Sequence, residues 1–403
     1  MDFEKDKLYY KDQYIKEFYS NVKNIYKQED KYYVILEQTA FFPGGGGQWC
    51  DLGYIDGIKV IEVIEEDNVI IHILLEEPER LENVHCIINW SRRFDGMQQH
   101  LAQHVLSGCF YTLFNSNTAG IHLGKEISTV DIVGNISNDQ IIKVEEKANE
   151  IIYENHKVNF QFKNRREAKT MGLRRDLQTK DSEIRIVEIE DIDINACCGV
   201  HPSNTLEIQM IKIIGHCPHK GNTRIEFLAG DRAIKYTLMR DNVLKEICNS
   251  FNAGADEVTK SIKNLSDSNK KLREENNKLN DKLSKYEMEE LINSKIEVNG
   301  VNIISRIYEE KEIRYLTKLL KKIVINDNYI VLFALKNEDK CNLLFAESEN
   351  INNVHMGELL KDTVTLVDGK GGGNKVLAQG AGKNIHNINN AMDYAVRKVK
   401  ELI

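Results

Sequence analysis

Two short, well-separated stretches constrain this chain more than anything else in it. The first is Met97-Gln98-Gln99-His100-Leu101-Ala102-Gln103-His104, and the second is Ala196-Cys197-Cys198-Gly199-Val200-His201. On a helix, imidazoles at i and i+4 lie on one face a turn apart, close enough to share an ion. Cys197 and His201 stand four apart beside a glycine that permits a tight turn. Three imidazoles and one thiolate suit zinc better than calcium or magnesium. A fold that uses this set must bring both stretches together. Taken singly, each half also has a plain structural reading: the histidines as a half-buried polar helix face, the cysteine as a small packed residue. At this level either Cys197 or Cys198 supplies the sulfur.

With 403 residues the chain is long enough for two to four domains. Its net charge of −8 argues against nucleic-acid binding by bulk charge, so any such contact must come from local basic patches. No apolar run is long enough to span a bilayer and no signal-like start is present, which leads us to expect a cytoplasmic protein. Eight scattered cysteines show no disulfide framework, as expected for a reducing compartment.

Taken in order, the chain reads as α+β in four parts. Residues 1–88 are strand-rich, with β-branched runs at Tyr32–Leu36, Ile58–Ile64 and Val69–Leu74, and a small β-barrel or sandwich is expected. Between the first two runs lies Thr39-Ala40-Phe41-Phe42-Pro43-Gly44-Gly45-Gly46-Gly47-Gln48-Trp49, a loop that either flexes or approaches something closely. Residues 89–231 are expected to form an α+β domain around the metal ligands, with helices over Phe94–Leu113 and Ile141–Ile152. Strands are expected at Ser128–Ile132, Ile184–Ile189 and Thr205–Ile214, and a loop at Gly215–Lys220. The stretch from Lys163 to Arg175 is a basic patch whose Arg165, Arg166, Arg174 and Arg175 suit phosphate contacts, or form a solvated helix face. Residues 232–291 carry a sustained heptad with Leu244, Phe251, Val258, Leu265, Leu272 and Leu279 at d, and Asn269 and Asn276 at a. One long helix is expected there, serving as spacer and dimerisation arm; the alternative is an intramolecular hairpin, with Gly254 as a weak candidate break. Residues 292–403 read as an α/β unit. Within it, Asp368–Gly380 is read as a glycine-rich loop whose Lys370, Gly371, Gly372, Gly373 and Lys375 offer a phosphate cradle, or only a turn.

Assembled, these stretches resemble the alanyl-tRNA editing proteins of the long AlaX type, relatives of the editing half of alanyl-tRNA synthetase. The similarity rests on the Thr-x-Phe-Phe-Pro-Gly-Gly-Gly-Gly-Gln run and on Asp95–His104. Further along it rests on Cys197–His201 followed by Asn204-Thr205-Leu206-Glu207-Ile208, on Arg224–Phe227, and on Gly369–Gly373 with Ala378-Gln379. The resemblance implies a C-terminal DHH-associated domain for tRNA binding or dimerisation, with Gln379 among its contacts. It implies zinc on His100, His104, Cys197 and His201. It also implies hydrolysis of tRNA(Ala) mischarged with serine or glycine, in a second sieve for an amino acid that the first pocket separates poorly. Thr39, Gln48, Ser128, Thr129 and Asp131 are then the candidates for substrate contact or for positioning water. The sequence departs from the family where Cys198 and Val200 replace Gly and Thr, Pro202 follows His201, and Leu206 stands for Gly. These departures bear on pocket shape, not on the ligands. The alternative reading is a non-catalytic, zinc-containing protein that binds tRNA or dimerises. A zinc peptidase is disfavoured because the helix lacks the glutamate of His-Glu-x-x-His.

Overall fold

The computed structural model describes residues 6–177, 182–351 and 353–403. It divides into two compact units, Met1–Ile247 and Cys248–Ile403.

The first unit opens with a short helix α1 (Leu8–Lys11) and seven strands: β1 (Glu17–Ser20), β2 (Val22–Gln28), β3 (Lys31–Leu36), β4 (Gly53–Ile55), β5 (Ile58–Glu66), β6 (Val69–Leu74) and β7 (Val84–Ile88). The three expected β-branched runs are β3, β5 and β6. The strands pair in the order β1-β7-β4-β5-β6-β3-β2, with no β1–β2 ladder, so hydrogen bonding does not close the expected small β-barrel. Only Asn21 separates β1 from β2. So short a junction holds the two ends of the strand order next to one another, and the sheet curls round on itself at Asn21. Val34, Phe41, Ile55, Val60, Leu74 and Val84 fill the core of this sheet.

The rest of the unit is built around helix α2 (Trp90–Phe114), which Asn89 caps by accepting the Arg92 N–H. From Gly96 to Phe110 every residue of α2 is buried, apolar or not. Against it pack β8 (Thr118–Leu123), β9 (Ser128–Val133) and α3 (Asn138–Glu154), whose start is fixed by a reciprocal Ser137/Gln140 cap. β10 (Val158–Asn164), α4 (Arg165–Thr170), β11 (Glu183–Ile189) and β12 (Asp193–Ala196) follow, then β13 (Ile211–His219), β14 (Asn222–Ala229) and α5 (Asp231–Phe251). β10-β11-β12 form one sheet and β13-β14-β9-β8 another. Two expectations are corrected. Thr205–Ile214 is not one strand: Asn204 caps a 3-10 turn over Thr205–Ile208 by accepting the Glu207 N–H, and Gln209 has φ of 67°. Gly215–Lys220 is not a loop, because β13 runs to His219 and turns through Lys220 and Gly221, both at positive φ, into β14.

The second unit begins in the last turn of α5, at Cys248, and continues into α6 (Ala255–Asn293). The single helix expected over 232–291 is therefore two, interrupted where Asn252 takes a left-handed φ of 47° and Gly254 caps α6. Then come β15 (Ile296–Val298), β16 (Val301–Glu309), α7 (Ile313–Val324), β17 (Tyr329–Lys336), β18 (Cys341–Glu347), α8 (Met356–Thr365), β19 (Gly369–Gly373), β20 (Leu377–Gly382) and α9 (Ile388–Leu402). The sheet order is β15-β16-β17-β18-β20-β19, with β16 and β17 parallel across the α7 crossover. β17 is buried from Tyr329 to Leu335 because both sheet faces are covered. Leu316, Leu319 and Leu320 of α7 cover one face; Leu359, Leu360, Ala391 and Ala395 of α8 and α9 cover the other. The expected glycine-rich loop is instead a hairpin: Gly371 opposes Gly380 and Gly372 opposes Gln379. A Cβ on Gly371 would lie 2.6 Å from Gly380 Cα, so this glycine permits close strand packing.

Candidate metal centre

Helix α2 and the turn after β12 meet. The helical spacing puts His100 and His104 on one buried face, and the turn delivers Cys197 and His201 to it. One nitrogen from each histidine and the Cys197 Sγ all lie within 4.8 Å of one another. Cys197 Sγ is 3.4 Å from His100 Nε2 and 3.7 Å from His201 Nε2. Four donors around zinc with bonds of about 2.0–2.3 Å need separations only slightly different from these. Among the buried polar atoms without a partner is His104 Nε2, whose ring is held through Nδ1 by Asp193. An orphaned nitrogen in a cluster with a thiol is what an ion would satisfy, so the residues present fit zinc.

The electrostatics agree. Burial alone would raise the Cys197 thiol, but the charges of His100 and His201, and hydrogen bonds from His100 and His104, hold it well below the ordinary thiol range. Burial drives His201 down to about 3, helped by the charge of His100. Burial also opposes charge on His104. The hydrogen bond to Asp193 and the Cys197 sulfur outweigh it and push this histidine up to about 9. Cys198 is exposed and stands outside the cluster, so Cys197 is the sulfur that joins the histidines.

The surrounding contacts hold the donors in place. Gln48 Oε1 lies 3.0 Å from His100 Nδ1 and accepts the Val200 N–H at 3.0 Å, tying the glycine loop to both ligand segments. A Cβ on Gly199 would fall 2.2 Å from His100 Cε1, so only glycine fits that turn. Arg185 donates to the carbonyls of Cys197 and Gly199 at 3.0 and 2.7 Å, with its guanidinium 4.7 Å from both the Tyr10 and Phe160 rings. Tyr10 donates to the Cys198 carbonyl at 2.7 Å. Over the cluster opens a cleft of about 640 Å³ lined by Tyr10, Gly46, Gln103, Ile121, Phe162 and Arg175, among others.

A curated relative, the alanyl-tRNA editing protein AlaX-L of Pyrococcus horikoshii, is 30% identical over 93% of this chain and 94% of its own length. The chain belongs to the alanyl-tRNA editing proteins. Within this AlaX family frame, residues 184–226 match the threonyl and alanyl tRNA synthetase second additional domain, and residues 297–401 match the DHHA1 domain. The alanine–tRNA ligase of Clostridioides difficile is 28% identical over 93% of the chain, which spans 44% of that enzyme. The C-Ala domain of Aquifex aeolicus alanyl-tRNA synthetase, 26% identical, aligns over 27% of the chain and 96% of its own length with a TM-score of 0.25.

The AlaX-type site gathers some of the expected residues and leaves others elsewhere. Arg174 and Arg175 line the cleft, and Gln48 lies just behind the cluster. Thr39 does not line the cleft: its hydroxyl meets His72 Nε2 at 2.9 Å and accepts the Phe41 N–H within the first sheet. Ser128 is fully buried in β9, and Thr129 faces Glu226 across the sheet. Asp131 pairs with Arg224 at 2.7 Å, and that hydrogen bond holds its carboxyl below the usual range. Arg165 and Arg166 begin α4, away from the cleft lining. In the second unit, Lys370 is exposed on β19, Lys375 sits in the hairpin turn and Gln379 is exposed on β20. Sequence reasoning missed Asp193, Arg185, Tyr10 and the cleft role of Gln103. Asp193 stands four residues before Cys197, but no spacing rule says which histidine it meets.

Proposed function

We propose that the chain is a trans-editing hydrolase that cleaves the ester between a wrong amino acid and the terminal ribose of tRNA(Ala), serine first and glycine second. The observation that carries this reading is the set of three buried histidines, His100, His104 and His201, with half-buried Cys197 at an open cleft, in a chain that matches an AlaX-L protein along nearly its whole length. Bound there, zinc supplies a Lewis acid that polarises the ester carbonyl or orients the substrate. Four protein ligands favour the orienting role. Gln48 keeps His100 aimed at the site, and Arg185 with Tyr10 braces the Cys197–His201 turn. In the reaction, water oxygen bonds to the ester carbon, the bond from that carbon to the ribose oxygen breaks, and a water proton ends on the ribose oxygen. Arg175 at the cleft, Arg165 and Arg166 on α4, and Lys370, Lys375 and Gln379 on the β19/β20 hairpin are the tRNA contacts in this reading. The exposed heptad face of α6 makes a homodimer.

A second reading, a non-catalytic zinc-containing tRNA-binding or dimerisation protein, is favoured by the closed four-ligand set and the apolar face of α6. Deacylation of tRNA(Ala) charged with serine, glycine or alanine, with zinc content measured on the same sample, separates the two. Hydrolysis of the serine and glycine esters with alanine spared supports editing. Tight tRNA binding without turnover supports the alternative.

A further inference from the structure

Arg174 lies in the basic run from Lys163 to Arg175, where sequence context assigns it to phosphate. Its surroundings give it other work. Only 5% of its side chain reaches solvent. Nε donates to Asp193 Oδ1 at 2.6 Å and Nη1 donates to Thr118 Oγ1 at 3.1 Å. The Asp193 side chain is fully buried, and its Oδ2 lies 2.8 Å from His104 Nδ1. The Asn195 amide nitrogen donates to both Asp193 oxygens at 2.7 Å. Thr118 in turn donates to Ser107 Oγ at 2.7 Å, and Gln103 Nε2 donates to the same oxygen at 2.7 Å. One guanidinium thus joins β8, β12 and α2 directly behind a metal ligand.

We infer that Arg174 and Asp193 are positioning residues for the metal centre: together they hold His104 with its proton on Nδ1 and its Nε2 turned to the other three donors. An imidazole ring can rotate and can carry its proton on either nitrogen. A fixed carboxylate acceptor removes both freedoms. A buried carboxylate is itself costly unless paired, and Arg174 pairs it while fixing its angle. The planar fork reaches Asp193 and Thr118 in two directions at once, which a lysine ammonium on a flexible stem does poorly. Of the three arginines at the cleft, Arg174 and Arg185 are therefore occupied internally and Arg175 is left to meet the RNA backbone. This rests on the metal reading of the site.

The test uses the full chain and four substitutions, Arg174→Gln, Arg174→Lys, Asp193→Asn and Arg175→Gln, each checked for folding by circular dichroism. Zinc affinity is measured without RNA, by competition with a chromophoric chelator. The salt dependence of kcat/KM is measured with seryl-tRNA(Ala). Asp193→Asn and Arg174→Gln are expected to lose about 10–100-fold in zinc affinity with the salt slope unchanged. Arg174→Lys recovers part of the loss. Arg175→Gln keeps wild-type zinc affinity and lowers the salt slope by about 0.7, the value for one phosphate on a single strand. Wild-type zinc affinity in both Arg174→Gln and the near-isosteric Asp193→Asn overturns the inference, and a lowered salt slope in Arg174→Gln would then make Arg174 a phosphate contact. A wild-type chain that takes up no zinc refutes the metal reading itself, a result distinct from either.

Discussion

A single amide oxygen, Oε1 of Gln48, holds two pieces of the site at once, meeting His100 Nδ1 and accepting the Val200 N–H. Gln48→Ala leaves that buried N–H without a partner, which costs about 1–3 kcal/mol. Denaturant titration should show that loss together with weaker zinc retention. A second residue-scale prediction concerns Arg93, 1% exposed, which reaches Asp51, 2% exposed, and donates to the Ala40 carbonyl at 2.5 Å. Asp51→Asn strips one partner from a buried pair and should cost about 3–5 kcal/mol by the same measurement. The third is a pH dependence. His72 is buried between Thr39 and the Val34 carbonyl, and burial drives it down to about 4. Its folded form stays neutral while the unfolded chain takes up a proton below about pH 6.5. The unfolded state thus binds more protons, and stability falls as pH drops from 6.5 towards 4, by up to about 3 kcal/mol from this group. Urea midpoints at pH 7 and pH 5 should show the fall, and His72→Gln should flatten that part of it.

At the scale of elements, α6 has an apolar face that its own unit leaves uncovered: Leu265, Leu272 and Leu279 are 58%, 66% and 59% exposed, and only Val258, Ser284 and Leu291 are buried along it. Heptad positions left in water are costly unless another helix covers them. In the proposed homodimer, Leu272→Glu together with Leu279→Glu should lower the mass in light scattering to that of one chain and leave zinc content unchanged. An unchanged mass would remove α6 from the interface. Element bounds were legible where period and propensity agree, as in β3, β6 and the C-terminal end of α2. They were misread where one side chain or one residue decides. Asn204 captures the Glu207 N–H and turns the expected strand into a 3-10 turn. Asn252, at positive φ, ends α5 inside an unbroken heptad. The glycine run 369–373 reads as a loop because glycine favours loops, yet its close approach to β20 makes it a strand.

For the whole molecule, all four candidate ligands and the cleft lie within the first unit, Met1–Ile247. Removing residues 255–403 should therefore leave zinc binding and the stability of the remaining unit intact, while weakening tRNA affinity and dimerisation. Loss of zinc in that truncation would show that the centre depends on the second unit. No helix among the described residues is long and apolar enough to cross a membrane.

What the sequence determined by itself was local: the helix that carries His100 and His104, the turn chemistry at Gly199, the donor types that suit zinc, and the order of strand-forming runs. Covalent neighbours and fixed periods set these. The tertiary structure set Cys197, the sulfur that the resemblance implied, against the histidines, and it alone decided that Asp193 supports His104 and that Arg174 is spent on Asp193. Each of these depends on which distant side chains share a buried space, and spacing along a chain carries no record of that.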